Sequence, residues 1–173
     1  MPYSLSSDKI RLRAVEQSDL DTIYLLENEI AESGSSVINQ PLSRKMLWDY
    51  IESYSADIAA DRQLRLMIED TDGNTVGAID VSDYDPVNRR GFVGISILSA
   101  HRGKKYGTAA LDVLCRYCAD ALGMHQLAAL VAADNSISRH LFAEAGFKSA
   151  GRLRSWLRRG KTYEDVLIFQ KLF

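Results

Sequence analysis

The 173-residue chain has few of the residues that build metal and disulfide sites, with only two cysteines and three histidines. Cys115 and Cys118 lie within one helical pattern, whereas a redox pair begins a helix and a zinc site needs two more ligands. The histidines, His101, His125 and His140, are scattered along the chain. We therefore expect no metal site and two small, buried cysteines in a reducing compartment.

Long hydrophobic runs are also missing. No stretch approaches the ~20 apolar residues of a membrane span, and the first residues lack the apolar core of a signal peptide. The net charge of −2 gives no reason to expect binding to nucleic acid. With 46% apolar and 25% charged residues, the composition is that of an ordinary globular protein. We expect one cytoplasmic domain over residues 1–173, without a membrane or nucleic-acid partner.

Helical periodicity and capping residues define the first third of the chain. Ser18 is positioned to cap a helix, with Asp21 completing an imperfect capping box. Residues 31–42 contain too much Gly, Ser and Pro for regular structure and predict a loop or a frayed helix end. Ser43 begins another helix, whose apolar stripe continues to Ile58.

Alternating apolar and polar residues predict the strands. They cover residues 9–13, 63–70, 75–81, 91–98, 125–132, 147–157 and 162–173. A long helix predicted over residues 104–122 separates the fourth strand from the fifth, so these two strands run parallel through a right-handed crossover. The predicted fold class is α/β, with a mixed, mostly antiparallel sheet of six to seven strands and helices on both faces.

Residues 99–110, SAHRGKKYGTAA, join the fourth strand to this helix. The first turn of a helix has unpaired backbone N–H groups and the positive end of the helix dipole, so it favours anions. Three basic residues and two glycines concentrate here: Arg102, Lys104, Lys105, Gly103 and Gly107. The stretch predicts a pyrophosphate site, and an ordinary capped helix is the alternative.

Further motifs extend this pattern. An R-x-x-G-x-G/A motif is matched in part by residues 102–107, an N-x-x-[AS] motif by Asn135 and Ser138, and a G-F pair by Gly146 and Phe147. Together they resemble the GNAT acetyltransferase superfamily. The stretches RLRAVEQSDLDTIYLL, DPVNRRGFVGISI and RRGKTYEDVLIF resemble its branch that acetylates ribosomal-protein N-termini and polyamines.

Three residues depart from the family pattern. Lys105 replaces the first glycine of the phosphate motif, Phe142 replaces a tyrosine found in many relatives, and Phe92 replaces a strand glutamate. The resemblance implies the GNAT fold, whose two parallel strands splay apart to admit the pantetheine arm of acetyl-CoA. The implied cofactor-binding residues are Ile97, Leu98, Arg102, Gly103, Lys104, Lys105, Tyr106, Gly107, Thr108, Asn135 and Ser138.

The resemblance also gives these residues separate tasks. Backbone N–H groups of residues 102–108 would bind the pyrophosphate, and the edge of residues 95–98 would pair with the pantetheine amides. Asn135 would contact the CoA arm. A backbone N–H near Leu98 would stabilise the oxyanion.

Acetyl transfer to an amine also needs proton transfer. With Phe92 and Phe142 in place of the usual carboxylate and tyrosine, Asp80 is our preferred base, and a surface acid at a strand end is the alternative. Ser138 or Tyr163 is the candidate acid, although a CoA thiolate, with a pKa near ~8.5, is a tolerable leaving group without help. His101 is a further candidate for proton transfer. The alternative is that His101 is simply an exposed histidine of the loop.

The acceptor is predicted from the charge pattern. Residues 16–32 contain six acids and no base, which favours a cationic amine bound near Glu27, Glu29 and Glu32. A solvated helix face is the alternative. We expect an N-acetyltransferase acting on a small amine, a polyamine or a protein N-terminus, and a homodimer as the commonest symmetric assembly. The competing hypothesis is a non-catalytic acyl-CoA-binding module.

Overall fold

The computed structural model describes residues 4–32 and 40–173. The strands are β1 Ile10–Ala14, β2 Leu64–Asp70, β3 Thr75–Asp85, β4 Arg90–Ile97, β5 Gln126–Ala132, β6 Lys148–Arg159 and β7 Thr162–Leu172. The helices are α1 Leu20–Glu32, α2 Arg44–Ser53, α3 Ile58–Asp61, α4 Tyr106–Asp120 and α5 Ser136–Glu144. Short 3-10 turns at Gln17–Asp19 and Ser99–His101 precede α1 and α4. No helix of this part of the chain is long and apolar enough to span a membrane.

The strands form one seven-stranded sheet in the order β1-β2-β3-β4-β5-β7-β6. Every neighbouring pair is antiparallel except β4 and β5, which are parallel as the helix between them requires. The prediction of a mixed, mostly antiparallel sheet is confirmed.

Helices cover both faces of this sheet. On one face, α4 packs with Leu111 and Leu114 against β1 to β4, and Phe142 of α5 belongs to the same core. On the other face, α1 and α2 bury Ile23 and Leu47 against Met67 of β2. Cys115 and Cys118 lie buried in the α4 core, as predicted, and burial raises the pKa of the Cys115 thiol to about 11.

Two helix boundaries differ from prediction. The chain turns into its first helix at Gln17 rather than at a Ser18 cap, because the Asp19 carboxylate accepts the Glu16 N–H at 2.8 Å and pairs with Arg13 at 2.7 Å. Ser43 does cap α2, accepting from the Met46 N–H, but that helix ends at Ser53. Residues 58–61 form the separate helix α3, so the predicted stripe to Ile58 is interrupted. The predicted loop at residues 31–42 lies mostly outside the described residues, and α1 continues to Glu32.

β4 and β5 pair over only three residues. Arg90, Gly91 and Phe92 lie opposite Gln126, Leu127 and Ala128, after which neither strand has a partner residue on the other. β4 continues to Ile97 and β5 to Ala132. The opening between them beyond Phe92 is called the fork below.

Candidate active site

The start of α4 borders the fork and is open to an anion. Lys105, the residue before the helix, has left-handed backbone angles and provides no side-chain cap. The first intrahelical bond runs from the Ala109 N–H to the Lys105 carbonyl at 3.2 Å. Since no other side chain is found to cap α4 within residues 4–32 and 40–173, the N–H groups of Tyr106, Gly107 and Thr108 are available to a ligand.

The loop before α4 leaves room for such a ligand. Gly103 has a φ of +80°, and a Cβ placed there would have no neighbouring atom within 4 Å. Lys104 and Lys105 are exposed, and neither forms an ion pair with a described acid. Open space, free N–H groups and unpaired cations together fit a pyrophosphate.

Glu29 fixes the start of this loop. Its carboxylate accepts the Ser99 N–H at 3.1 Å and the Ser99 hydroxyl at 2.9 Å, and it lies 3.9 Å from the Arg102 guanidinium. Sequence reasoning placed Glu29 in acceptor binding and missed this contact. In the structure, Glu29 joins α1 to the loop that leads to α4.

Every second residue of β4 at the fork presents its backbone N–H and C=O groups to a ligand. The Leu98 N–H donates to the Val76 carbonyl at 2.9 Å, so it faces β3. Because successive residues of a strand point their backbone groups in opposite directions, Ile97 faces the fork. Its carbonyl accepts the Arg102 Nε–H at 3.1 Å. The oxyanion donor expected near Leu98 is therefore not Leu98 itself, and Ile97 is the better-placed candidate.

α5 borders the fork on the side of β5. The Asn135 side chain accepts the Ser138 N–H at 3.0 Å and so caps this helix. A Cβ at Gly107 would lie 3.7 Å from Leu141 of α5 and 3.8 Å from Ile95 of β4. A side chain at the second glycine of the phosphate motif would therefore point toward apolar groups of α5 and β4, at ordinary van der Waals distance.

Asp80 lies on β3, beside the part of β4 that borders the fork. It pairs in register with Gly94, which follows Phe92 by two residues on β4. A Cβ at Gly94 would be 3.2 Å from Asp80 Oδ2, so the carboxylate covers the space that a β4 side chain would occupy. Burial raises the pKa of Asp80, and the Arg65 guanidinium opposes this change from 3.6 Å.

The other proton-transfer candidates have varied positions. Tyr163 lies on β7 with 63% of its surface exposed. Ser138 is half-buried in the first turn of α5. Phe142 is 4% exposed and packs edge-on against Phe147 at 5.2 Å, so this position belongs to the core. His101 ends the 3-10 turn before the loop, and its Nδ1 is buried without a hydrogen-bond partner in the described chain.

The predicted acceptor acids are not equivalent. Glu27 pairs with Arg65 at 2.8 Å on the sheet face that carries Asp80, whereas Glu29 binds Ser99. The side chain of Glu32 lies outside the described residues. Of the aromatic residues near α2, Tyr54 accepts the Arg65 N–H at 2.7 Å and stacks on Tyr50.

Comparisons with known proteins agree with this arrangement. A sequence profile described as "Acetyltransferase (GNAT) domain" matches residues 9–148. The spermidine N(1)-acetyltransferase of Vibrio cholerae serotype O1 is 26% identical over 161 residues, 92% of this chain and 91% of that protein. The putative ribosomal N-acetyltransferase YdaF of Bacillus subtilis is 27% identical over 167 residues, 87% of this chain and 90% of that protein. A solved chimera of the spermidine N-acetyltransferase SpeG from Vibrio cholerae and hSSAT has a TM-score of 0.83 at 26% identity, covering 94% of this chain and 95% of its own.

Proposed function

The chain belongs to the GNAT acetyltransferase family, and on that premise we propose that it transfers an acetyl group from acetyl-CoA to a primary amine. The acceptor is a small amine, such as a polyamine, or a protein N-terminus; among the relatives, one is named for spermidine and one as a putative ribosomal N-acetyltransferase. One observation carries the proposal: the uncapped, basic start of α4 lies against Ile95, and the half-buried Asp80 carboxylate lies against Gly94, both on the stretch of β4 that borders the fork.

Donor binding is assigned to the backbone. The N–H groups at the start of α4 hold the pyrophosphate, supported by Lys104 and Lys105, while Ile97 offers its carbonyl to a pantetheine amide and its N–H to the oxyanion. Arg102 now uses the Ile97 carbonyl, so its side chain moves aside when the arm enters. Asn135 remains a proposed contact to the arm through its amide NH₂, since its oxygen caps α5. When bound, acetyl-CoA supplies the reactive thioester.

Asp80 is the proposed general base. A primary amine with a pKa near ~10 is protonated at neutral pH and must lose a proton before it can attack. A carboxylate whose pKa is raised by burial is a stronger base than an exposed one. Asp80 pairs with Gly94, two residues along β4 from Phe92, which replaces the strand glutamate of many relatives. Its role is to accept the proton that the amine releases.

The group that protonates the leaving thiolate is Ser138 or Tyr163. Each carries a hydroxyl and lies on an element next to the fork, Ser138 on α5 and Tyr163 on β7. The Ser138→Ala or the Tyr163→Phe variant should show a reduced kcat with unchanged CoA affinity. Full activity of both variants would indicate that the thiolate leaves without protonation by either residue.

The decisive experiment follows free thiol while the protein is incubated with acetyl-CoA and a panel of amines. Amine-dependent thiol release, with the acetylated amine identified by mass spectrometry, supports the proposal. Tight acetyl-CoA binding without release for any amine or peptide N-terminus would instead favour the non-catalytic acyl-CoA-binding module. Sedimentation of the same sample tests the proposed homodimer.

A charge reversal tests the donor site. Lys105→Glu should weaken CoA binding about tenfold or more, because it places an anion beside the pyrophosphate. An acid at a helix N-terminus favours the helix, so the melting temperature should not fall. Lys148→Glu, at an exposed position at the start of β6, is the matched control. Equal CoA affinity of the two variants would show that the pyrophosphate binds elsewhere.

A further inference from the structure

Glu29, near the C-terminal end of α1, connects this helix to the loop before α4. Its carboxylate accepts the Ser99 N–H at 3.1 Å and the Ser99 hydroxyl at 2.9 Å, although the two residues are 70 positions apart. Glu29 Oε2 also lies 3.9 Å from the Arg102 guanidinium. These contacts of Glu29 to Ser99 and Arg102 are called the Glu29 clamp.

The Glu29 clamp supplies a cap that the loop itself lacks. The 3-10 turn Ser99–His101 begins with the Ser99 N–H, and Leu98 before it has no side-chain acceptor. The first N–H groups of a helical turn need an acceptor and favour a negative charge. Glu29 provides both from another helix. The path of the chain from β4 to the start of α4 therefore depends on the position of α1.

Glu29 also needs these partners. The last turn of α1 contains no basic residue. The C-terminal end of a helix carries partial negative charge, so an acid placed there is unfavourable. Two hydrogen bonds from Ser99 and the nearby guanidinium of Arg102 offset this cost.

Arg102 connects the Glu29 clamp to the fork. Its Nε–H donates to the Ile97 carbonyl at 3.1 Å, the group of β4 that is assigned above to a pantetheine amide. A guanidinium that loses this acceptor keeps its charge and its N–H donors, so it needs another acceptor. Among the described acids, Glu29 is the one that pairs with Arg102. With 64% of its side chain exposed, Arg102 has room to move toward it.

We propose that Glu29 is a positioning residue for the donor, which caps the loop at Ser99 and takes the Arg102 guanidinium when the pantetheine arm displaces it from Ile97. The inference rests on the proposed function and extends its donor site to α1. Closure of the present 3.9 Å separation gives a direct ion pair, which ties α1 more firmly to the loop once the donor is bound. Glu29 thus acts on the donor rather than on the amine.

CoA binding measured without turnover tests the Glu29 clamp. Glu29→Ala should weaken CoA binding about tenfold in calorimetry, because the loop loses its cap and Arg102 its second acceptor. Glu29→Gln keeps a carbonyl for Ser99 and should weaken binding only about threefold. The KM for the amine should stay nearly unchanged in both variants. Charge alone predicts the opposite sign, since removing an anion near a phosphate site strengthens binding.

Two further variants separate positioning from a loss of fold. Ser99→Ala removes only an exposed hydroxyl and should weaken CoA binding about twofold, with an unchanged melting temperature. Asp21→Asn is the matched control, because it removes an exposed acid of α1 that pairs with Arg44 rather than with the loop. Its CoA affinity should equal that of the parent.

Parental or tighter CoA binding by both Glu29 variants would overturn the proposal. So would a raised KM for the amine at parental CoA affinity, which would place Glu29 in acceptor binding. If the parent protein itself does not bind CoA, the proposed function is contradicted instead.

Hydrogen exchange tests the movement of Arg102. Saturating CoA should slow exchange of the α1 amides in the parent about threefold or more, because the closed Glu29–Arg102 pair opposes local opening of the helix. Arg102→Ala cannot form this pair, so saturating CoA should leave its α1 exchange unchanged. Unchanged exchange in the parent, or equal slowing in the variant, would show that Arg102 does not move to Glu29.

Discussion

The two ends of the β4–β5 pair have opposite properties. At the closed end, three residue pairs are in register, the His125 N–H bonds to the Arg89 carbonyl at 2.7 Å, and Gly91 is buried against Val81 and Met124. At the fork, backbone groups lack a strand partner, Lys105 is in a left-handed conformation, and the half-buried Asp80 carboxylate lies beside β4. Unused hydrogen-bonding capacity thus collects at one end, where a ligand can use it.

Removing the proposed base, Asp80, should have the largest effect. Asp80→Asn is isosteric and should lower kcat by about 10²–10⁴-fold, the usual contribution of a general base. CoA affinity, measured by calorimetry, should not change because the proposed donor site is on α4. A kcat close to that of the parent would assign proton transfer to another residue, with His101 the next candidate.

The pH dependence of activity and of stability tests the environment of Asp80 at the fork. Because burial raises the pKa of Asp80, the folded protein binds its proton more tightly than the unfolded chain, and ionisation above that pKa costs stability. The kcat/KM of the parent should rise with pH as Asp80 ionises, and Asp80→Asn should lose that limb. The variant should also gain stability relative to the parent as pH rises. Urea unfolding at several pH values measures this gain, and its absence would mean that Asp80 is not buried as described.

Adding a methyl group at Gly91 or at Gly94 tests the difference between the closed end of β4 and the fork. A Cβ at Gly91 would approach Val81 Cγ1 to 2.6 Å and the Ser82 carbonyl to 3.1 Å, so Gly91→Ala should cost about 2–3 kcal/mol. The Tm should fall by roughly 5–10 °C. Gly94→Ala is the matched control, because its Cβ would meet only the movable Asp80 carboxylate at 3.2 Å. It should cost less stability but lower kcat, and equal Tm losses would contradict the distinction.

The smallest effect is expected at Lys105. Its φ of +63° is one that glycine adopts without steric cost, so Lys105→Gly should stabilise the fold by about 0.5–1 kcal/mol despite the greater freedom of the unfolded chain. Loss of the cation should slightly weaken CoA binding. Chemical denaturation and calorimetry measure the two effects, and Lys104→Gly, which should only destabilise or be neutral, is the control. A stability loss for Lys105→Gly would show that the lysine side chain stabilises this turn.

Local signals in the sequence predicted the elements that build the fork. The alternation along β4, the basic glycine loop and the apolar face of α4 are patterns of neighbouring residues, and each is present in the structure. Ser43 was placed at a helix start for the same reason. The predicted cap at Ser18 was wrong because Arg13 draws Asp19 into an ion pair that local pattern does not reveal.

The chain's family, its sheet of alternating strands and the basic loop before α4 were determined by the sequence alone, since they depend on residue type and short spacing. Tertiary structure decided which polar groups have partners. Glu29 meets Ser99 across 70 positions of the chain, and Arg65 joins Glu27 to Asp80 only because α1 packs over β2 and β3. Free energy at such sites depends on distance, burial and the count of neighbouring charges, which are settled only when the sheet register and helix packing bring the partners together.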